Sequence, residues 1–308
     1  MSSAPKPRLI PPPAQLTALG PLVIIDAECA YFHDDLETAP GSSTGTKPSP
    51  ASTPRSAKTA FALPGLLKES DYQKAMDLGM RRSGTLVYRP LCSGCRKCQP
   101  FRLKVSNFVE SKSQRRARKR CEGLFSVDIL RPRPDAEHLR LYARYQQDQH
   151  GKDGQEIDEE AYTRFLVESV ADTWELAWRD RSGKLVGVGI VDLVADGIST
   201  VYFYWDPALR DLSLGVASAL WEIDLCRRWH RQYYYLGYLV RGSKTMSYKS
   251  QFSGGEVWNG TAWIPVPGRD LSDSLVDDFL AAAEADAMVA DGQTFPLDGA
   301  VKPMADQR

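Results

Sequence analysis

Three strand-length apolar segments follow one another at residues 173–178, 185–194 and 198–205. The turns between them, Asp180-Arg181-Ser182-Gly183 and Asp196-Gly197, are of hairpin type, so the segments predict an antiparallel meander. Two helical patterns precede it. Residues 135–150 place Leu139 and Tyr142 on one face, and residues 158–170 place Tyr162, Phe165 and Leu166 on one face. After the meander, Val216, Leu220 and Ile223 at i, i+4, i+7 predict a helix over 214–229. A strand at 233–240 and a last helix near 244–252 follow. The earlier chain holds a short apolar run at 22–25 and a helix at 70–78, with Asp71 near its start and Gly79 at its end. Strands at 85–88 and 101–105 flank a cysteine-bearing segment.

The order ααβββαβα is that of an N-acetyltransferase-like (GNAT-like) α/β domain. The expected fold is therefore α/β: a GNAT-like acyltransferase domain at 131–270, preceded by a smaller α/β N-terminal domain at 21–130 with a Cys-rich turn. Pro132 and Pro134 mark the boundary. Residues 1–20 read as a flexible tail. Residues 40–58 (PGSSTGTKPSPASTPRSAK) cannot bury a core and read as a disordered loop. Residues 271–308 read as an acidic, Ala-rich helix and a loose tail.

Composition changes this picture little. The chain has 308 residues, 43% hydrophobic and 25% charged, as in ordinary globular proteins. Lys plus Arg and Asp plus Glu both number 39, so bulk charge argues for no partner. The proline-rich N-terminus lacks a signal-peptide core, and residues 22–25 are too short to span a bilayer. A cytoplasmic protein with no membrane partner is expected, its six cysteines reduced unless they hold a metal.

Local charge is more informative. SKSQRRARKR packs Lys112, Arg115, Arg116, Arg118, Lys119 and Arg120 into one run. Such density binds phosphates through counterion release. On a helix, Arg115, Arg118 and Lys119 share a face. The plainer alternative is a solvated helix face, but an otherwise acidic chain with one basic block favours a polyanion site. Cys92, Cys95 and Cys98 form C-x2-C-x2-C, a spacing that brings thiolates to one cation. Cys29 is the nearest fourth ligand, with His33 as a spare. Zinc, an iron–sulfur cluster, or three metal-free thiols lining a turn all remain open, although Arg102 stands where a ferredoxin run would continue.

The stretch RRSGTLVYRPLCSGCRKCQPFRLKVSNFVESKSQRRARKR resembles the bacterial leucyl-tRNA–protein transferase family, which is related to the arginyl-tRNA–protein transferases. The resemblance rests on Tyr88-Arg89-Pro90, the three cysteines with Pro100, Phe108, and residues 111–116. It extends to a second block at 199–207 with 212–215, and a third at 235–238 with 245–249. It covers about residues 21–263, with departures at 40–58 and 242–246. It implies an aminoacyltransferase that moves leucine, or arginine, from aminoacyl-tRNA to an N-terminal Asp or Glu, marking the acceptor for N-degron degradation. Its partners would be leucyl-tRNA or arginyl-tRNA and acceptor proteins with those first residues. No cofactor would be required for transfer.

The competing readings are an acyl-CoA N-acetyltransferase and a non-catalytic RNA-binding module. Acyl-CoA enzymes cradle pyrophosphate on a glycine-rich helix start. Here residues 210–215 read RDLSLG, with Ser213 for the first glycine, which weakens that cradle. Tyr248, on the last helix, is the candidate general acid or ester-orienting group, and Tyr204 and Asp206 end the central strand where a substrate crevice should open. Arg89, Lys249 and Lys244 are candidates for an acidic acceptor side chain, and Tyr238 lies in the third block. Each has a bland alternative, as a packed tyrosine, a cap or a surface charge. The four histidines lie outside the matched blocks.

Overall fold

Backbone pairing sorts the apolar segments into two sheets. The computed structural model describes residues 16–33, 54–63, 65, 67–92, 95, 97–150, 157–240, 243, 246–260 and 262–266. A four-stranded antiparallel sheet has the order β1-β2-β4-β3, from β1 (Leu22–His33), β2 (Pro54–Ala62), β3 (Arg81–Ser83) and β4 (Leu86–Pro90). Helix α1 (Glu69–Asp77) packs on it through Tyr72, Ala75 and Met76. Gly79 ends the helix at φ +77°, where a Cβ would lie 2.7 Å from the Trp258 ring.

The second sheet has eight strands in the order β12-β11-β5-β10-β9-β8-β7-β6. They are β5 (Cys98–Lys104), β6 (Phe125–Leu130), β7 (Asp172–Asp180), β8 (Leu185–Leu193), β9 (Gly197–Trp205), β10 (Tyr233–Val240), β11 (Gly255–Trp258) and β12 (Trp263–Pro265). Strand β8, LVGVGIVDL, is apolar throughout because helices cover both of its faces. On one face lie α5 (Leu214–Arg228) and, packed against it, α2 (Lys112–Cys121). On the other lie α3 (Ala136–His150) and α4 (Glu159–Tyr162), the latter running into a π turn at Thr163–Val167. Asp135 and Asp158 cap the two helix starts through backbone amides.

Several expectations are corrected. Residue 131 does not separate two sheets: β5 and β6 precede it yet belong to the large sheet, β5 lying between β10 and β11. Leu16–Leu19 is a 3-10 turn with Leu16 fully buried against the α1 core, so the tail ends before it; residues 1–15 lie outside the described residues. Residues 54–58 belong to β2, paired with β1 from Pro54↔His33 onward, so the loop expected over 40–58 stops short of them; residues 34–53 lie outside the described residues. The last helix shrinks to a 3-10 turn, Ser247–Gln251, because the chain is drawn at once into β11 beside β5. The acidic helix expected over 271–308 lies outside the described residues. No helix among the described residues is long and apolar enough to cross a membrane.

A buried ion pair links the two sheets. Arg82 on β3 reaches Asp192 on β8 with two hydrogen bonds, 2.7 and 2.6 Å, and both side chains are fully buried. Thr173 Oγ1 completes the group.

Candidate active site

Strands β9 and β10 are the parallel pair of the large sheet, joined by the crossover helix α5. They pair at Gly197↔Tyr233, Ile198↔Tyr234 and Ser199↔Tyr235, and then part. Ligands of α/β sheets sit where adjacent strands diverge at their carboxyl ends.

A cavity of about 300 Å³ is lined by α2, by the start of α5, which follows β9, and by the Ser247–Gln251 turn, which follows β10. Arg116 and Arg120 line it from α2, Ser213 and Val216 from α5, and Tyr248 and Gln251 from the turn. Helix α2 begins with a capping box. Ser111 Oγ accepts from the Gln114 amide at 3.2 Å, and the Gln114 side chain accepts from the Ser111 amide at 2.8 Å. Gln114 and Ala117 are buried, so Arg116 and Arg120 share the face turned to the cavity. Ser213 adopts φ 58°, ψ 46°, the left-handed conformation that glycine tolerates best. Its hydroxyl accepts a 2.8 Å hydrogen bond from Arg120 Nη2. The cavity therefore joins a helix N-terminus and two guanidinium groups, a setting for phosphate.

Tyr248 is 37% exposed in this cavity. Packing around its hydroxyl, and then the Glu222 carboxylate, push its pKa up to about 12, so it stays protonated. Glu222 is a carboxylate buried on α5. Ser218 Oγ donates to it at 2.7 Å and Tyr234 OH at 2.9 Å. Burial outweighs these hydrogen bonds and one from Thr200, and raises its pKa to about 7.

The other predicted residues divide. Arg115 donates to the Glu110 carbonyl at 2.6 Å. Arg118 is held by Glu110 at 2.5 Å and Asp224 at 2.6 Å. The face proposed from spacing, Arg115-Arg118-Lys119, is thus not the cavity face, because Arg118 is turned toward α5. Lys112 and Lys119 are exposed elsewhere on α2. Tyr204 is corrected to a core residue: fully buried under α3 and α4, it meets Tyr162 OH at 2.7 Å, on the sheet face opposite α5. Asp206 is a cap and an anchor for cations. Oδ1 accepts from the Ala208 amide at 3.2 Å, and Oδ2 pairs with Lys184 at 2.9 Å and Arg144 at 3.2 Å. These partners, acting against its burial, hold its pKa below the usual carboxylate range.

Arg89 donates to the Leu78 carbonyl at 3.1 Å. Tyr238 is buried, its hydroxyl donating to the Gly79 and Tyr88 carbonyls. Lys249 is buried, its Nζ donating to the Tyr238 carbonyl at 2.9 Å. Lys244 lies outside the described residues. His138 is pinned between Asp135 and Glu175 at 2.6 and 2.8 Å, fixing α3 on β7.

The fold gathers all four candidate thiols. Burial first, and then Cys29, Cys92 and Cys95, push the Cys98 thiol up to about 12. They do not close a coordination shell. Among the described residues no three His, Cys, Asp or Glu side chains converge on a metal position, and Cys92 Sγ turns to the Lys58 carbonyl at 3.8 Å. The chemistry below is routed through no metal.

Sequence reasoning missed Glu222, and it singled out neither Arg81 nor Arg82 as a site residue. A lone glutamate on an apolar helix face was a readable signal. So was the Arg81-Arg82 doublet, since neighbours on a strand point to opposite faces.

Two family profiles match this chain. "Arginine-tRNA-protein transferase, N terminus" covers residues 27–116, and "Arginine-tRNA-protein transferase, C terminus" covers residues 137–259. A protein named aspartate/glutamate leucyltransferase from Alkalilimnicola ehrlichii is 36% identical over 238 residues, 76% of this chain and 98% of that relative. One of the same name from Thiobacillus denitrificans is 40% identical over 200 residues, 64% of this chain and 82% of the relative. Among solved structures, L-PGS from Bacillus licheniformis overlaps 74% of this chain and 85% of its own, at 11% identity and a TM-score of 0.40, too distant to bear on activity.

Proposed function

The chain belongs to the arginine-tRNA-protein transferase family, among relatives named aspartate/glutamate leucyltransferase, and on that premise we propose how it transfers leucine from leucyl-tRNA to the N-terminus of proteins that begin with Asp or Glu. The observation that carries the account is the convergence of Arg116, Arg120, the α5 N-terminus and Tyr248 on one cavity. Backbone phosphates near the aminoacylated end of the tRNA lie against the two guanidinium groups and the helix start. The ester then faces Tyr248.

The donor ester is already activated, so the chain has to position it and needs no cofactor. The acceptor nitrogen attacks the ester carbonyl carbon. A C–N bond forms, the bond from that carbon to the ribose oxygen breaks, and the amine loses a proton to water. Tyr248, kept protonated by its surroundings, donates its proton to the departing ribose oxygen and is reprotonated by the water that took the amine's proton. The product carries leucine as its first residue, and we assign it to the N-degron route of protein degradation.

An acyl-CoA donor is disfavoured. Ser213 puts a side chain where a pyrophosphate cradle needs a bare backbone, and Arg120 is bonded to it. The test offers leucyl-tRNA, arginyl-tRNA and acetyl-CoA separately, with a peptide beginning with Asp. Label from leucyl-tRNA alone supports the account. Label from acetyl-CoA, or from none of the three, rejects it.

A further inference from the structure

Burying a charge without a counter-charge is expensive, and folded proteins seldom do so unless a ligand supplies the partner. Among its described residues this chain does it twice in one place. Arg81, on β3, is 4% exposed, and Lys249, on the Ser247–Gln251 turn, is 7% exposed. Arg81 Nη1 donates to the Met80 carbonyl at 2.6 Å, but its Nε and Nη2 have no hydrogen-bond partner among the described residues. Its guanidinium lies near the Tyr235 and Trp263 rings, 5.4 and 6.0 Å from their centroids. Among the described residues, Lys249 Nζ has the Tyr238 carbonyl and no carboxylate. The contrast with Arg82 is sharp. One residue along the same strand, on the opposite face, it meets Asp192 in a closed bidentate pair.

The two cations feel one another. Burial, and then the Arg81 charge, pull the Lys249 ammonium down to about 7. Gly237, at φ +76°, leaves room beside Lys249: a Cβ there would stand 3.7 Å from Nζ. Lys249 also directly follows Tyr248, which lines the cavity.

We propose that Arg81 and Lys249 together form the seat for the side-chain carboxylate of the acceptor's N-terminal Asp or Glu. The proposal rests on the transfer reading above and deepens it. The unpartnered Arg81 Nε and Nη2 present a two-toothed donor edge to a carboxylate, and Lys249 adds a point charge. Seating the carboxylate there leaves the α-amine beside Tyr248, where the ester carbonyl arrives. An uncharged first residue would leave both cations unmatched, which is how the site rejects it.

Arg81→Met and Lys249→Met are compared with the wild type in transfer from leucyl-tRNA to an Asp-starting peptide, with thermal denaturation alongside. Each variant should raise the peptide KM about tenfold or more, while the leucyl-tRNA KM stays within about twofold. Tm should be unchanged or higher, because a buried charge without a partner has been removed. A lower Tm with unchanged peptide KM, or equal rises in both KM values, overturns the proposal; the second outcome would mark a phosphate of the tRNA as the true ligand. A further arm needs no variant: an Asp-starting peptide should raise the wild-type Tm more than its Asn-starting counterpart, and equal shifts overturn the seat. Wild type inactive with every peptide would sink the transfer reading itself. Active wild type with unaffected variants would sink only the seat.

Discussion

Replacing Arg116 and Arg120 together by Gln removes the two charges that α2 presents to the cavity. Each phosphate contact with a single strand contributes about 0.7 to the slope of log affinity against log salt, so two contribute about 1.4. Raising salt from about 50 to about 200 mM should then weaken tRNA binding by the wild type about sevenfold more than by the double variant. The assay is equilibrium binding of uncharged tRNA at several salt concentrations. Arg118→Gln is the internal control. That guanidinium is already engaged by Glu110 and Asp224, so its loss should lower Tm and leave the salt slope unaltered. Equal slopes for the wild type and the double variant would remove the cavity from the tRNA path. A slope change confined to Arg118→Gln would show that the geometry picks the wrong face of α2.

Tyr248→Phe should lower kcat about a hundredfold with little change in tRNA affinity, measured in single-turnover transfer. Glu222→Gln tests the buried carboxyl. Its folded pKa of about 7 exceeds the unfolded value, so its favourable contribution is full below about pH 4 and lost as pH rises through 7. The variant should therefore gain roughly 3 kcal/mol relative to the wild type between pH 4 and pH 8, read by urea unfolding at both; a pH-independent difference would refute the assignment. Asp206→Ala should destabilise by about 1 kcal/mol through the lost cap, yet keep its kcat, since Asp206 serves Ala208, Lys184 and Arg144.

The meander β7–β9, α5 and β10 were legible because local period and turn chemistry agree. Asp180, for example, accepts from the Ser182 and Lys184 amides within its own hairpin. Partners distant in sequence were not. Nothing near residues 98–104 says that they insert between β10 and β11, which lie far along the chain, and that insertion undoes a boundary at 131. Strand β2 was hidden because its first residues continue a Pro- and Ser-rich stretch and are made a strand by pairing with β1. Strands β11 and β12 are too short to show a period. Of the site, the basic helix, Ser213 and Tyr248 could be named singly, but their meeting in one cavity required the crossover of α5. Tyr204 misled because the end of a central strand has two faces, and its side chain takes the α3 face.

The central claim is transfer of leucine onto an acidic N-terminus. Its most direct measurement incubates the protein with leucyl-tRNA and matched acceptor proteins beginning with Asp, Glu, Asn or Met, and then sequences their N-termini. Leucine as a new first residue on the Asp and Glu acceptors, and absent from the other two, is the predicted result. Leucine on all four acceptors, or on none, would contradict it.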